Sequence, residues 1–539
     1  MIGIHHIKKT LLSHQCIHYI EIAKYILLSA MALLFVIELI LSLDWRLQGD
    51  AAFLQYIAYL ISEQGFVPYR DIFELNMPMT YLIHMAIGAI SGYSDFAFQF
   101  MNICWLLAIF FVTWLIMRPM GQKVACAGCL LFGFIHLYGS SHASMGRDFI
   151  LLLPIATAIL LALQYRLNRF RSYVDFFIGI CFGLVASIKP HFAIGLPVII
   201  IYNTLCKIDN IKSVSIWLLT KNCARGVVFA SLGFACAFIP PFLWLWHIGA
   251  LEDFWKIYSS YIPLYTKTSY DFANVTLIDT LRRFIEFGGF SSLVITALFG
   301  VYIIFTYSIS FVVWKQSVLL LVLALVYSIS VLIGVRILGL HWIAFFYFLC
   351  LCTGMLLFSS PKNSNASSIL LAFFVFILIT VNVIRLPSVL FQHVSYGKYR
   401  IAEYLIQQQH RVDAILEYLN KNLIPGDKVQ PLESIDGVLQ AMLISKAVIA
   451  TPYVTDFQFY HHINDPYIQY LRRDFISRLQ QARPEFIIKL DEEARTVPSD
   501  AFAKNPFPAL ERFIQTNYRE DFSGDGFIIF RKDSNQQLR

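Results

Sequence analysis

The hydrophobic positions of this chain gather into runs rather than stripes. Residues 25–43, 149–165, 226–246 and 369–384 are examples, each close to the roughly 17–25 residues an α-helix needs to cross hydrocarbon. The runs are apolar all round, which predicts membrane-spanning helices, because a barrel strand would alternate between two faces over about ten residues. Read along the chain, the pattern predicts about eleven transmembrane helices within residues 1–385. Beyond that point the pattern changes. Polar helix-like segments at 402–422, 437–445, 467–482 and 507–517 alternate with short β-like segments at 427–432, 448–453, 485–490 and 526–531. The expected fold class is mainly α: a polytopic membrane helical bundle with a small soluble α/β domain over 386–539.

Composition agrees. The chain is 58% hydrophobic and only 14% charged, with a mean hydropathy of +0.62, whereas soluble domains are about a quarter charged. The net charge of +7 sits largely in short loops, so it reports topology rather than nucleic-acid binding. With a cytoplasmic N-terminus, Arg118/Lys123, Arg166/Arg169/Arg171, Lys207/Lys212/Lys221/Arg225, Lys315 and Lys362 all fall on the inner side. The outer side then receives the loop 44–95, the loop 140–147, the Lys189 junction, residues 249–289, the turn near Gly339 and the C-terminal domain. The first apolar run follows a tail carrying Lys8, Lys9 and Lys24 and reads as a retained signal anchor. All ten cysteines precede residue 353, so the C-terminal domain has no disulfide framework. Cys126 and Cys129 have ligand-like spacing but lie in an apolar run without a second pair, which favours helix packing.

The loop 44–95 is too long for a simple connection. It holds two amphipathic stretches, 51–64 and 79–90, of a kind that can lie along a membrane surface. Ionisable residues that converge on one face of the spans are the informative ones. Asp50 follows the first span in Leu47-Gln48-Gly49-Asp50-Ala51, where helix capping is the plain structural alternative. Asp148 opens an apolar helix in Met145-Gly146-Arg147-Asp148-Phe149, where a local ion pair or snorkelling would also account for it. Between them, Tyr69-Arg70-Asp71-Ile72-Phe73-Glu74-Leu75-Asn76-Met77-Pro78 is a polar cluster in apolar sequence. Ile188-Lys189-Pro190 and Gly334-Val335-Arg336 with His341-Trp342 fall on the same expected face.

These features resemble the GT-C superfamily of membrane glycosyltransferases, which includes protein O-mannosyltransferases and aminoarabinose transferases. A catalytic aspartate just past the first span corresponds to Asp50. Pro68-Tyr69-Arg70-Asp71 through Asn76-Met77-Pro78-Met79-Thr80-Tyr81 is similar to the loop motif of bacterial members, with Asn76-Met77-Pro78 where they carry Lys-Pro-Pro. Arg147-Asp148 resembles their second acidic step, and Arg336 with His341 resembles a Gly-Gly-Arg…His-Tyr pattern.

The resemblance implies transfer of a sugar from a polyprenyl-phosphate donor to a glycan, lipid or protein acceptor on the periplasmic face of a bacterial inner membrane. It implies Asp50 as general base and Asp148 as an organising or acceptor-binding group, with a divalent cation, Mg or Mn, as an option at Asp50 and Asp148. Tyr69, Arg70, Asp71, Glu74, Asn76, Arg147, Lys189, Arg336 and His341 are then the substrate-binding candidates, with Lys189 and Arg336 foremost for phosphate. Three other readings stay open. A transporter or flippase would place charges near mid-membrane and show repeated halves; an O-antigen polymerase or ligase would carry its large outer loop later; a noncatalytic scaffold would fit the missing loop lysine.

Overall fold

The computed structural model describes residues 2–138, 140–164, 171–206, 216–271, 291–308, 310–333, 342–358, 400–433, 436–492, 495 and 505–533. It is a polytopic helical membrane protein with a small C-terminal α/β domain. Among the described residues four helices are long and apolar enough to cross a bilayer: Ile22–Asp44, Asp95–Met120, Leu219–His247 and Phe311–Ile329. Shorter apolar helices cover Gln122–Leu137, Ser172–Ile188, Pro190–Cys206, Leu293–Tyr307 and Ile343–Leu357. The expected span at 369–384 lies outside the described residues. The expected run at 149–165 is present as two helices, Arg147–Ile150 and Leu152–Leu163.

The chain divides into two compact units. The first comprises Met1–Asp44, Asn102–Ile239 and Val275–Val394. Its centre is the helix Ile343–Gly354, buried at every position, against which Gln122–Tyr138, Ser291–Tyr307 and Phe311–Ile333 pack. Some of its buried polar groups find partners inside the bundle: Thr113 Oγ1 and the Tyr347 hydroxyl lie 2.8 Å apart, and Tyr327 donates to the Phe192 carbonyl at 3.0 Å. Where Arg171–Ile188 crosses Ile216–Phe238 the backbones touch. A Cβ at Gly179 would overlap the Ala230 carbonyl, and one at Gly233 the Phe176 carbonyl, so small residues set this crossing as they do in lipid generally.

The second unit comprises Trp45–Met101, Pro240–Asn274 and Ser395–Arg539. The expected first outer loop is therefore part of the same compact unit as the C-terminal domain. Its amphipathic stretches are the helices Gly49–Gln64 and Pro78–Ser91. The first is buried along most of its length rather than lying free on a surface: Tyr56 donates to the Ala447 carbonyl at 2.9 Å and Tyr59 to the Lys446 carbonyl at 3.2 Å. The C-terminal domain has a five-stranded sheet, β1 (Lys428–Leu432), β2 (Val448–Ile449), β3 (Phe486–Leu490), β4 (Tyr518–Gly524) and β5 (Phe527–Lys532), in the order β2-β1-β3-β5-β4. β1 runs parallel to β2 and β3, and β5 is antiparallel to β3 and β4. The helices Arg400–Asn422, Val438–Ile444, Pro466–Ala482 and Pro508–Asn517 connect and cover it. Within this domain Arg495 grips Asp456, with Nη1 2.9 and 2.8 Å from the two carboxylate oxygens, both residues being buried.

Candidate active site

Asp50 stands in the first turn of the Gly49–Gln64 helix, half-buried. Gln48, extended at φ −144°, is the cap residue and Asp50 lies in the first turn, where the helix dipole favours a negative charge. Gly49 has φ +53°, a conformation that suits a residue without a Cβ and turns the chain sharply into the helix. The approach is fixed at both ends: the Leu47 amide donates to Asp95 Oδ1, at the far end of the loop, at 2.9 Å, and Arg46 reaches Asp413 on the Arg400–Asn422 helix at 2.7 Å.

The polar loop after this helix is folded upon itself. Tyr69, buried and at φ +68°, donates to the Asn76 carbonyl at 2.5 Å. Glu74 accepts from the Leu75 amide at 2.6 Å and from Asn76 Nδ2 at 2.9 Å. Asp71 closes its own turn by accepting from the Val67 amide at 2.9 Å. Arg70 Nε donates to Asp253 at 3.0 Å, and its Nη2 donates to the Gly249 carbonyl. The Phe73 amide donates to the Pro452 carbonyl at 2.8 Å, joining the loop to the C-terminal domain. The structure thus brings Tyr69, Glu74 and Asn76 together and places Arg70 with Asp253.

Asp148 belongs to the first unit. It lies in the short helix Arg147–Ile150, next to the half-buried Arg147. Its partner is Lys189, whose Nζ is 2.7 and 2.8 Å from the two carboxylate oxygens, with side chains only 15% and 10% exposed. Lys189 is in turn 5.2 Å from the Phe192 ring, at the start of the Pro190–Ile194 turn. Arg336 and His341 lie outside the described residues.

Three residues escaped the sequence reading. Asn102 Oδ1 accepts from the Met145 amide at 3.1 Å and lies 3.2 Å from His136 Nε2. His136 stacks on Phe149 at 3.7 Å, so Asn102 and His136 together brace the turn that delivers Asp148. The signal available was a histidine within an apolar run. Glu38 is the lone acid in the run 25–43; it is 1% exposed and neither oxygen has a partner among the described residues. A carboxyl inside a span is costly, which is why a lone acid in such a run stands out.

Among the described residues no three His, Cys, Asp or Glu side chains converge as metal ligands. Both Asp148 oxygens already face an ammonium, so this donor set does not fit a resident cation.

No family model and no curated protein matches the chain. Solved structures do. ArnT from Cupriavidus metallidurans bound to undecaprenyl phosphate superposes with a TM-score of 0.56 at 12% identity, over 94% of this chain and 98% of that one. The apo state of that protein gives 0.55 at 13% identity, over 95% and 98%. AglB from Archaeoglobus fulgidus, in complex with an inhibitory peptide and a dolichol-phosphate, gives 0.47 at 11% identity, over 94% and 74%. At these identities the likeness to ArnT is one of fold, and it extends over nearly the whole of both chains.

Proposed function

We propose that this chain is a membrane glycosyltransferase that moves a sugar from a polyprenyl-phosphate donor to an acceptor hydroxyl. The observation that carries the reading is the Asp148–Lys189 pair, a nearly buried lysine oriented by a carboxylate on the fold of a protein solved with undecaprenyl phosphate. A held cation is what a departing phosphate needs for its growing charge.

In this scheme Asp50 accepts the proton of the acceptor hydroxyl. The hydroxyl oxygen attacks the anomeric carbon, and the bond from that carbon to the phosphate oxygen breaks, its electron pair leaving with the polyprenyl phosphate. A single displacement inverts the anomeric centre. Lys189, together with Arg336, offsets the charge that grows on the departing phosphate; Asp148 keeps the lysine ammonium charged and fixed in direction. No step runs through a metal cation. The C-terminal domain and the loop 44–95 lie on the periplasmic side of the inner membrane, with the N-terminus in the cytoplasm, as the positive loops require.

The test is transfer of radiolabelled sugar from a panel of polyprenyl-phosphate donors in membranes holding wild type, Asp50→Asn and Lys189→Met at matched levels. Loss of at least about 100-fold in Asp50→Asn is the size expected for a general base. Undiminished transfer in that variant removes the role, and no transfer by wild type over the whole panel removes the reading.

A further inference from the structure

The Asp148–Lys189 pair is gripped on both flanks of its acid by one side chain from another helix. His136 belongs to the apolar helix Gln122–Tyr138 and is 1% exposed. Its ring stacks on Phe149, the residue after Asp148, with centroids 3.7 Å apart. Its Nε2 lies 3.2 Å from Asn102 Oδ1, and the same oxygen accepts from the Met145 amide, ahead of Asp148 in the chain, at 3.1 Å. The backbone N–H fixes that Asn102 atom as the amide oxygen, so His136 Nε2 carries the hydrogen between them.

What this grip resists is a strained turn. Met145 has φ +46°, a left-handed conformation that a residue with a Cβ adopts at a cost, and such strain persists only where surrounding contacts over-determine it. Asn102, Ser144 and Met145 are all buried, so a Met145 amide deprived of Asn102 would have no water to turn to. The Ser144 and Gly146 amides bond within the turn, to the Ser141 and Ala143 carbonyls at 3.2 and 3.4 Å, whereas Asn102 ties the turn to another helix. From here the chain enters Arg147–Ile150, and Asp148 meets Lys189 Nζ at 2.7 and 2.8 Å. The direction of the ammonium therefore depends, through Asp148, on where the turn stands.

We propose that His136 is a positioning residue for the Lys189 ammonium: through Asn102 and Phe149 it fixes the Asp148 carboxylate, and through that carboxylate the direction the lysine offers to a departing phosphate. The part played in transfer rests on the glycosyltransferase reading above; the geometric link to Lys189 does not. His136 touches no substrate in this scheme. An apolar side chain at 136 would fill the helix face equally well but would leave the turn free to relax toward unstrained backbone, and a misplacement of about 1 Å can cost about 100-fold in rate.

The experiment uses the full chain in nanodiscs and compares wild type, His136→Leu and His136→Gln, each also in a Lys189→Met background. Leucine suits an apolar helix, and glutamine returns an N–H donor near the place of Nε2. In His136→Leu, kcat should fall about 10- to 100-fold with the acceptor KM unchanged, and His136→Gln should recover most of it. On the residual transfer of Lys189→Met the same leucine change should cost nothing further, because the group it positions is gone. An equal loss in both backgrounds shows a general effect on packing and overturns the proposal, as does no loss in either. A second arm needs no transfer. Lysine isotopically labelled at Cε gives an NMR signal for Lys189, assigned by its disappearance in Lys189→Met and displaced by the Phe192 ring, whose centre is 5.2 Å from Nζ. The signal should move in His136→Leu and return in His136→Gln; a signal that leucine leaves in place, or that glutamine does not restore, counts against the link. No transfer by wild type, with the lysine signal responding as described, sinks the glycosyltransferase reading and keeps the link.

Discussion

Lys189 holds Asp148 by both carboxylate oxygens, at 2.7 and 2.8 Å, across 41 residues of chain. Neither residue alone separates a membrane anchor from a site, because a lysine beside a span is most often an anchor. Joined and nearly buried, they become one charged unit whose parts should not be separable.

That unit makes the first prediction. Removing one partner of a buried pair leaves the other charge uncompensated, at a cost of about 3–5 kcal/mol. Asp148→Asn and Lys189→Met should each lower the melting temperature of the solubilised protein, and the double variant should lose less than the sum. Additive losses would mean that the two do not interact in solution.

Asp95 should matter to a reaction it does not touch. Its carboxylate fixes the Leu47 amide, just ahead of Asp50 in the chain. Asp95→Ala should cost about 1–3 kcal/mol in stability and lower kcat, with Asp95→Asn recovering part of both because its carbonyl oxygen can still accept the bond. Equal kcat in wild type and Asp95→Ala would show that Asp50 needs no such anchor.

The contact between the two crossing helices should tolerate no side chain. Gly233→Leu drives a side chain into the Phe176 carbonyl; overpacking of this kind costs about 1–3 kcal/mol or more. Lower yield and melting temperature are expected, with Gly226→Leu milder, since the nearest atom to a Cβ there is 3.6 Å away.

Glu433 makes the C-terminal domain sensitive to pH. Burial, and then the Asp436 charge, push its carboxyl up to about 7 from 4.5, against the pull of three backbone amides. A raised acid keeps its proton in the folded state while the unfolded chain has released it. Its contribution is therefore whole below pH 4.5 and lost as pH rises toward 7, by up to about 3 kcal/mol. Melting curves of Glu433→Gln should lack this part of the decline; an unchanged slope would place the titration elsewhere.

Chelation gives a fifth prediction. With an ammonium already at Asp148 and no three-ligand cluster among the described residues, EDTA should leave transfer unchanged. Loss of activity restored by Mg or Mn would show a cation site assembled only with substrate.

Much of the architecture was legible because lipid imposes a simple rule. Backbone groups in hydrocarbon must be satisfied within one helix, so long apolar runs suffice to mark spans. The C-terminal elements were legible by period: the segments at 402–422 and 467–482 became Arg400–Asn422 and Pro466–Ala482, and 485–490 became β3. β4, Tyr518–Gly524, was not, because it is an exposed edge strand whose charged residues carry no alternation of burial.

The candidate site divides the same way. Sequence alone determined that Asp50 follows a span, that Asp148 opens an apolar helix and that Lys189 precedes a proline, since these are facts of local order. Only the tertiary structure decided that Lys189 meets Asp148, that Arg70 is committed to Asp253, and that Asn102 and His136 brace the turn before Asp148. The reason is physical: hydropathy and helical period act within a few turns of chain, whereas charge pairing and polar satisfaction depend on distances in space, and no local pattern encodes which distant residue will supply the partner.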